Sequence, residues 1–270
     1  MTQKIIAALA AGLLVISAAG CGAKKVEISP QLASSDETLF KEGEKFLKKD
    51  AEKARLYMRQ IIDSFPKSYY AQRAKLAIAD SYFDEGDEGN MILAAAEYRE
   101  FIQLFPYSPA ASYAQYRIAL SFFNKALKPG RDQQKTQQAL GEFKKVLTNY
   151  PLSEEAKQTR EKIKDCEERL AEHAFLIGEQ YYRTTAFKAA TSRLTEILTT
   201  YPTYSGMDQV YYYLGASYQE WGKPDQAVPY FIKLTTDFPK SKLASKAQDR
   251  LKEAQTQAAA QAAAKVPVKK

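Results

Sequence analysis

The chain has 270 residues, of which 45% are hydrophobic and 12% aromatic, so it has enough apolar surface for a sizeable core. Its 39 basic and 32 acidic residues are interspersed, as between Lys41 and Lys45, which is typical of solvated helix faces and argues against nucleic acid as a partner. A single histidine and two cysteines leave few groups for nucleophilic catalysis or a metal site.

The first twenty residues are typical of an export signal. Lys4 supplies a positive charge, and residues 5–19 form an apolar or small-residue run of 15 residues, shorter than the roughly 20 that span a bilayer. Small residues precede Cys21 as in a bacterial lipobox, so we predict cleavage after Gly20 and acylation of Cys21. Ala18 stands where leucine is usual, and an ordinary cleavage site is the alternative. Gly22 favours sorting to the outer membrane.

Five aromatic-proline dipeptides punctuate the rest of the chain. Proline cannot continue a helix, and a serine two or three residues later can cap the next one, so each dipeptide predicts a boundary between helices. Successive prolines are 40, 45, 51 and 37 residues apart, near the 34-residue helix-turn-helix period with insertions. The dipeptides are Phe65-Pro66, Phe105-Pro106, Tyr150-Pro151, Tyr201-Pro202 and Phe238-Pro239.

The last two copies match the tetratricopeptide pattern without gaps. Gly215, Ala227 and Phe231 occupy signature positions in the last copy, and Gly178 and Ala190 occupy them in the copy before it. Small residues are needed where two helices cross closely, and bulky residues three or four apart form the stripe that each helix buries. The earlier copies fit with a deletion or with insertions, the largest around Pro129-Gly130.

Residues 153–183 contain no helix breaker except Gly178, which predicts an unusually long helix between the third and fourth repeats. We therefore predict an all-α, tetratricopeptide-type solenoid of about five helix pairs. We expect the 254–270 tail to be disordered, although its first part could extend the last helix. The predicted segments are a signal peptide (1–20), a lipidated flexible tether (21–35), three N-terminal repeats (36–152), the long helix with two C-terminal repeats (153–253) and an Ala/Gln-rich tail (254–270).

The sequence offers no recognisable catalytic or cofactor site. No nucleophile motif accompanies His173, and His173 and Cys166 lack a second pair of ligands to complete a zinc tetrahedron. The acidic residues 84–90 lack the spacing of a calcium loop and fall where the second repeat needs its inter-helix loop. We therefore expect no enzymatic activity and no metal or cofactor, apart from N-acyl and S-diacylglycerol lipid on Cys21.

The concave face of the stack remains as the candidate site. In tetratricopeptide proteins the fifth position of each first helix points into a groove that takes extended peptides. The residues there and one face further along are mostly aromatic, which suits an apolar or aromatic-rich peptide, although each can instead belong to the core. These predicted groove residues are Phe40, Leu76, Tyr116, Phe175 and Tyr212 at the fifth position, and Phe83, Phe123 and Tyr182 further along.

Two further stretches are more specific than generic repeat similarity. One extends from Arg131-Asp132-Gln133 to Tyr150-Pro151-Leu152-Ser153, and the other joins Arg169-Leu170-Ala171 to Glu179 and Tyr181 on the long helix. Together with the lipobox-like cysteine and the five repeats, they make the chain resemble the BamD family of lipoproteins of the outer membrane β-barrel assembly machinery. The resemblance covers nearly the whole chain.

The resemblance implies a lipid-anchored protein of the outer membrane that faces the periplasm and helps to fold and insert β-barrel proteins. The implied partners are the POTRA portion of a BamA-like barrel protein, docked mainly by the C-terminal repeats, and unfolded barrel precursors whose aromatic C-terminal signals the N-terminal repeats receive. Arg169 and Glu179 lie on the implied docking helix. Other Bam lipoproteins are further candidate partners, but Ala18 and the shorter third-repeat insertion depart from the enterobacterial pattern and leave them open.

Three alternatives are compatible with parts of the sequence. A pilotin-like lipoprotein that localises a secretin, or another periplasmic repeat adaptor, would share the anchor and repeats, but the long helix argues against the pilotin. A repeat protein of envelope division normally carries an N-terminal coiled coil, which this chain lacks. A murein hydrolase would need paired carboxylates in a catalytic frame, and none is recognisable.

Overall fold

The computed structural model describes residues 28–29 and 35–264. In this part of the chain all regular structure is helical: five helix pairs followed by an eleventh helix. The predicted signal peptide, Gly20, Cys21, most of the tether and residues 265–270 lie outside the described residues. The helices are α1 (Asp36–Glu44), α2 (Ala51–Ser64), α3 (Tyr69–Glu85), α4 (Glu88–Leu104), α5 (Ala111–Phe123), α6 (Gln134–Asn149), α7 (Glu155–Arg183), α8 (Phe187–Thr200), α9 (Met207–Glu220), α10 (Pro224–Asp237) and α11 (Ala244–Ala264).

The aromatic-proline dipeptides end the second helix of every pair, as predicted. Each aromatic residue is the C-cap of α2, α4, α6, α8 or α10, and the proline that follows prevents another helical turn. Ser68 caps α3 by accepting a hydrogen bond of 3.0 Å from the Ala71 N–H. Ser241 instead donates its hydroxyl proton to Asp208 at 2.5 Å, so not every predicted serine is a simple cap.

The predicted long helix is α7, with 29 residues. It is one continuous element that packs against α6 on one side and α8 on the other, so it is the first helix of the fourth pair and not a separate connector. The predicted insertion around Pro129-Gly130 is the connection between α5 and α6. His173 of α7 holds this connection in place, because its Nδ1 lies 2.6 Å from the Pro129 carbonyl oxygen.

Of the two alternatives for the tail, disorder is wrong for residues 254–264 and extension of the last helix is confirmed there. Helix α11 continues to Ala264, and Ala247 and Ala254 are buried against the preceding pair. Alanine has the highest intrinsic helix propensity, so an Ala/Gln-rich segment extends a helix readily once its first turns are packed. This helix covers the last repeat, as a terminal cap does in a solenoid.

The hydrophobic core is a chain of five clusters, each of which joins neighbouring helices along the stack. Small residues allow the close crossings that the sequence predicted. A Cβ on Gly178 would lie 2.6 Å from Leu194 Cδ2, and a Cβ on Gly215 would lie 2.7 Å from Phe231 Cε1. Leu194 and Phe231 are both fully buried, and burying such a side chain contributes about 1.5–3 kcal/mol. Packing against the neighbouring helix pairs therefore stabilises each pair.

Candidate binding surface

The structure divides the eight predicted groove residues into two sets of four. The fifth-position rings are core: they belong to the buried clusters and keep between 3% and 9% of their surface exposed. The prediction that these four line an open groove is therefore wrong. The buried set is Phe40, Tyr116, Phe175 and Tyr212. The half-buried set, which still reaches the surface of the first helices, is Leu76, Phe83, Phe123 and Tyr182.

Neighbouring helices cover the buried set. The ring centroids of Phe40 and Tyr70 are 5.5 Å apart, and the guanidinium carbon of Arg73 lies 4.2 Å from the Phe40 centroid. Tyr116 packs in the same way against Phe143, with 5.7 Å between centroids. A large ring at the fifth position reaches the next helix of the stack, so it joins the core between repeats.

Phe83 lies at the edge of a polar network that joins α3, α4 and α5. The guanidinium carbon of Arg117 is 3.6 Å from the Phe83 centroid, within cation–π distance. Arg117 Nε donates to the Tyr98 hydroxyl oxygen at 3.0 Å. Both Tyr98 and Tyr113 donate their hydroxyl protons to Asp80. Burial, reinforced by the Asp80 charge, raises the pKa of both tyrosines far above their usual value, so both remain proton donors.

Phe123 forms one wall of a cavity of about 370 Å³ between the end of α5, the α5–α6 connection and α7. Two cations approach its ring: Lys162 Nζ lies 4.6 Å and the Arg169 guanidinium carbon 5.2 Å from the centroid. Three carboxylates also line the cavity, so it combines an aromatic surface with charges of both signs. Its lining residues are Phe123, Pro129, Asp165, Glu168, Arg169 and Glu172.

The two predicted docking residues of α7 have different environments. Arg169 lines the cavity beside Phe123. Glu179 is engaged within the stack, because it accepts hydrogen bonds from the Tyr213 hydroxyl at 2.9 Å and from Arg183 Nη2 at 2.8 Å, and only 16% of its side chain is exposed. Burial and the hydrogen bond to Glu179 raise the pKa of Tyr213 to about 12. Glu179 therefore orients Tyr213 and Arg183 within the stack, and its side chain is mostly covered from solvent.

Tyr182 is the half-buried aromatic of the C-terminal repeats. Its ring centroid is 5.2 Å from that of Tyr213 and 5.8 Å from that of Phe187, both in angled arrangements that aromatic pairs prefer. The ring therefore forms part of a surface that joins α7, α8 and α9.

The sequence reasoning missed the cations that stack on these rings. Arg117 follows Phe83 by 34 residues, and Lys246, whose Nζ lies 5.1 Å from the Tyr212 centroid, follows Tyr212 by the same interval. This is the tetratricopeptide period, and each cation lies on the helix that follows the pair holding the ring, Arg117 on α5 and Lys246 on α11. A search for basic residues one period after each predicted groove aromatic would have found both.

Within residues 28–29 and 35–264, no three His, Cys, Asp or Glu side chains cluster in a way that could hold a metal ion. No helix of that same part has both the length and the apolarity to cross a bilayer. Cys166 is buried, and burial raises the pKa of its thiol to about 12. A thiol in this state is a poor nucleophile at neutral pH.

A family model described as YfiO, outer membrane lipoprotein, matches residues 32–228. Among curated proteins, "Outer membrane protein assembly factor BamD" of Caulobacter vibrioides is 28% identical over 86% of this chain and 75% of its own length. The protein of that name from Rickettsia prowazekii is 29% identical over 87% of this chain and 92% of its own length. A solved structure, "TPR2AB-domain:pHSP90-complex of yeast Sti1", is 16% identical, covers 82% of this chain and 83% of that one, and has a TM-score of 0.43.

Proposed function

The chain belongs to the YfiO family of outer membrane lipoproteins, and we propose that it is a non-enzymatic scaffold in outer membrane protein assembly. The observation that carries this proposal is the extent of the match, which begins before α1 and ends inside α10, together with relatives named as assembly factors over most of this chain. A stack of helix pairs with half-buried rings along its first helices supports a binding role. The function therefore lies in holding other proteins.

We propose that the first helices of the N-terminal repeats receive unfolded β-barrel precursors through their aromatic C-terminal segments. Phe83 and Phe123 supply ring surface for such side chains. Lys162 of the adjoining helix α7 lies beside Phe123 and can pair with a terminal carboxylate. Aromatic stacking and charge pairing would then act on the same short peptide end.

The C-terminal half would dock the POTRA region of a BamA-like barrel protein, with α7 as the central element. At one end of the docking surface, Arg169 and the acidic lining of the 370 Å³ cavity offer both charges to a partner. At the other end, Glu179 holds Arg183, whose side chain is 65% exposed. We assign direct contact to Arg169 and Arg183, and a positioning role to Glu179. Other Bam lipoproteins remain further proposed partners.

A lipid on Cys21 would attach the scaffold to the outer membrane on its periplasmic side. The N-acyl chain and the two chains of the diacylglycerol would give stable anchoring where a single chain is marginal. Cys21→Ala should move the protein from the membrane fraction to the soluble fraction, and retention in the membrane would contradict the anchor.

Peptide binding tests the receiving role. A fluorescent peptide that ends in an aromatic residue, with the sequence of a barrel precursor's C-terminus, should bind the purified full chain. We expect Phe123→Ala to weaken binding at least severalfold. Tyr107→Ala, an exposed aromatic on a loop between repeats, is the matched control and should bind normally. Equal affinity for both variants would contradict the proposed surface.

A further inference from the structure

Two loops carry large apolar side chains that the fold leaves in water. Tyr107 and Leu152 are each 98% exposed, and each directly follows the proline of an aromatic-proline dipeptide, so they occupy equivalent positions in successive repeats. Beside them, Leu104 ends α4 with 55% exposure and Tyr69 begins α3 with 69%. Isolated exposed apolar residues are normal, but these four lie in or directly beside the three connections that join the first four helix pairs. We call Tyr69, Leu104, Tyr107 and Leu152 the apolar edge.

The chain enters the stack at this same edge. Successive helices are joined by connections of two to ten residues and pack side by side, so they run antiparallel, and the connections between pairs share one edge with the start of α1. The contact of Phe40 in α1 with Tyr70 at the start of α3 agrees with this register. Ser35 caps α1, and Cys21 is 14 residues earlier in the sequence. A chain of that length reaches at most about 50 Å.

The apolar edge does not extend to the fourth repeat. The equivalent loop of the fourth repeat packs against the middle of α7, because Tyr204 donates its hydroxyl proton to Glu172 and the Ser205 N–H lies 3.1 Å from a Glu168 oxygen. The residue after its proline is Thr203, which is polar. Large apolar side chains therefore occur after the prolines of the second and third repeats, where the loops are not covered.

We propose that the apolar edge rests on the membrane interface as a second contact beside the lipid anchor and sets the orientation of the scaffold. This inference rests on the anchoring at Cys21 in the proposed function. A lipid on a tether holds the protein near the bilayer but leaves its orientation free. A tyrosine ring suits the headgroup region and a leucine side chain the start of the acyl chains. The helix axes would then point away from the membrane.

Tryptophan fluorescence can test the contact, because Trp221 is the only tryptophan of the chain and follows α9 at the opposite edge. The acylated full-length protein, with Trp221→Phe as background, is placed in vesicles of phosphatidylethanolamine and phosphatidylglycerol that contain brominated acyl chains. Tyr107→Trp and Leu152→Trp report on the apolar edge. Leu127→Trp is the control, since Leu127 is 51% exposed on the connection between α5 and α6.

We expect the bromine atoms to quench the reporters at 107 and 152 severalfold more than the reporter at 127. Equal quenching at all three positions, with the protein retained on the vesicles, would overturn the apolar-edge contact and leave the anchor intact. The contact would also be overturned if the reporters at 107 and 152 became shielded from water only after a barrel precursor or another protein is added. In that case a protein, not the bilayer, would cover the apolar edge.

Failure of the anchor is distinguishable from failure of the contact. If the vesicles do not retain the native protein, the anchoring proposal fails. The unacylated full chain is then joined through the Cys21 thiol to a maleimide lipid, which is selective because Cys166 is buried. The same comparison of the three reporters on this tethered chain supports the apolar-edge contact by stronger quenching at 107 and 152, or overturns it by equal quenching.

Discussion

The guanidinium carbon of Arg117 in α5 lies 3.6 Å from the ring centroid of Phe83 in α3, so a cation of one repeat covers an aromatic ring of the preceding repeat. The same guanidinium donates from Nε to the buried Tyr98. The guanidinium makes the two contacts through different atoms, its central carbon over the ring and Nε to the hydroxyl, a geometry that a lysine ammonium on a flexible stem does not reproduce. The junction between the second and third repeats therefore depends on arginine and not only on positive charge.

Arg117→Lys should accordingly lower the free energy of unfolding by about 1–2 kcal/mol, since it keeps the charge but loses ring stacking and the Nε hydrogen bond. Urea unfolding followed by circular dichroism measures this. Arg193→Lys is the control, because Arg193 pairs with Glu196 and both side chains are more than half exposed. Equal losses of unfolding free energy for the two substitutions would contradict the role of Arg117 at this junction.

Close helix crossing predicts opposite effects for two glycine substitutions. A Cβ at position 215 would lie 2.7 Å from the buried Phe231 ring, so Gly215→Ala should destabilise the protein by about 1–3 kcal/mol. Gly141 lies inside α6 with nothing within 4 Å of the added Cβ, and Gly141→Ala should stabilise by up to about 1 kcal/mol. Thermal unfolding of both variants measures these changes in stability. A loss of stability in Gly141→Ala would contradict the prediction of opposite effects.

Alanine substitutions should separate core rings from surface rings. Phe40 and Tyr116 are buried, so replacing either with alanine should cost about 3–5 kcal/mol. Phe123→Ala, at a half-buried ring beside the cavity, should cost less stability and should weaken peptide binding. Urea unfolding and peptide titration on the same preparations give both quantities. A fully stable Phe40→Ala variant would show that this ring is not core.

Glu142 gives a pH-dependent prediction. Burial favours a higher pKa, but hydrogen bonds from Arg99, Gln115 and Lys145 outweigh it and hold the pKa of Glu142 below its usual 4.5. A lowered folded-state pKa means that the stabilisation is complete above the unfolded-state pKa and is lost as the pH falls through the folded-state pKa. At neutral pH, Glu142→Gln should therefore lower the free energy of unfolding by about 1–2 kcal/mol.

The deficit of the Glu142→Gln variant should shrink as the pH falls below 4.5, because the carboxylate of the unfolded wild type is protonated first and that of the folded protein follows at its lower pKa. Urea midpoints of both proteins across this range measure the trend. Glu196→Gln removes an exposed carboxylate and should show little difference at any pH. A Glu142→Gln deficit that is constant with pH would contradict the ionic origin.

Local chemistry explains how much of the fold the sequence predicted. A proline directly after an aromatic C-cap residue ends a helix, so Pro66 and Pro239 marked true boundaries, whereas Pro229 lies inside α10. Gly178 and Gly215 marked close crossings because nothing larger fits. The resemblance to the BamD family, which rested on particular stretches and the anchor motif, is confirmed by the family match.

The errors of the sequence interpretation concern packing between repeats. Whether a fifth-position ring faces a groove or a neighbouring helix depends on how tightly the repeats stack, and no local pattern reveals this for Phe40 or Tyr212. Arg117 was missed for the same reason, since its target ring belongs to another repeat. The helical state of residues 254–264 depended on packing of Ala247 and Ala254.

Co-purification tests the central claim most directly. The full-length protein is extracted from membranes in a mild detergent through an affinity tag, and the proteins that accompany it are identified by mass spectrometry. A scaffold of outer membrane protein assembly should bring down a barrel protein with POTRA domains, and Arg169→Glu should reduce its recovery while Arg193→Glu does not. Recovery of a secretin, without any barrel protein that has POTRA domains, would contradict the account.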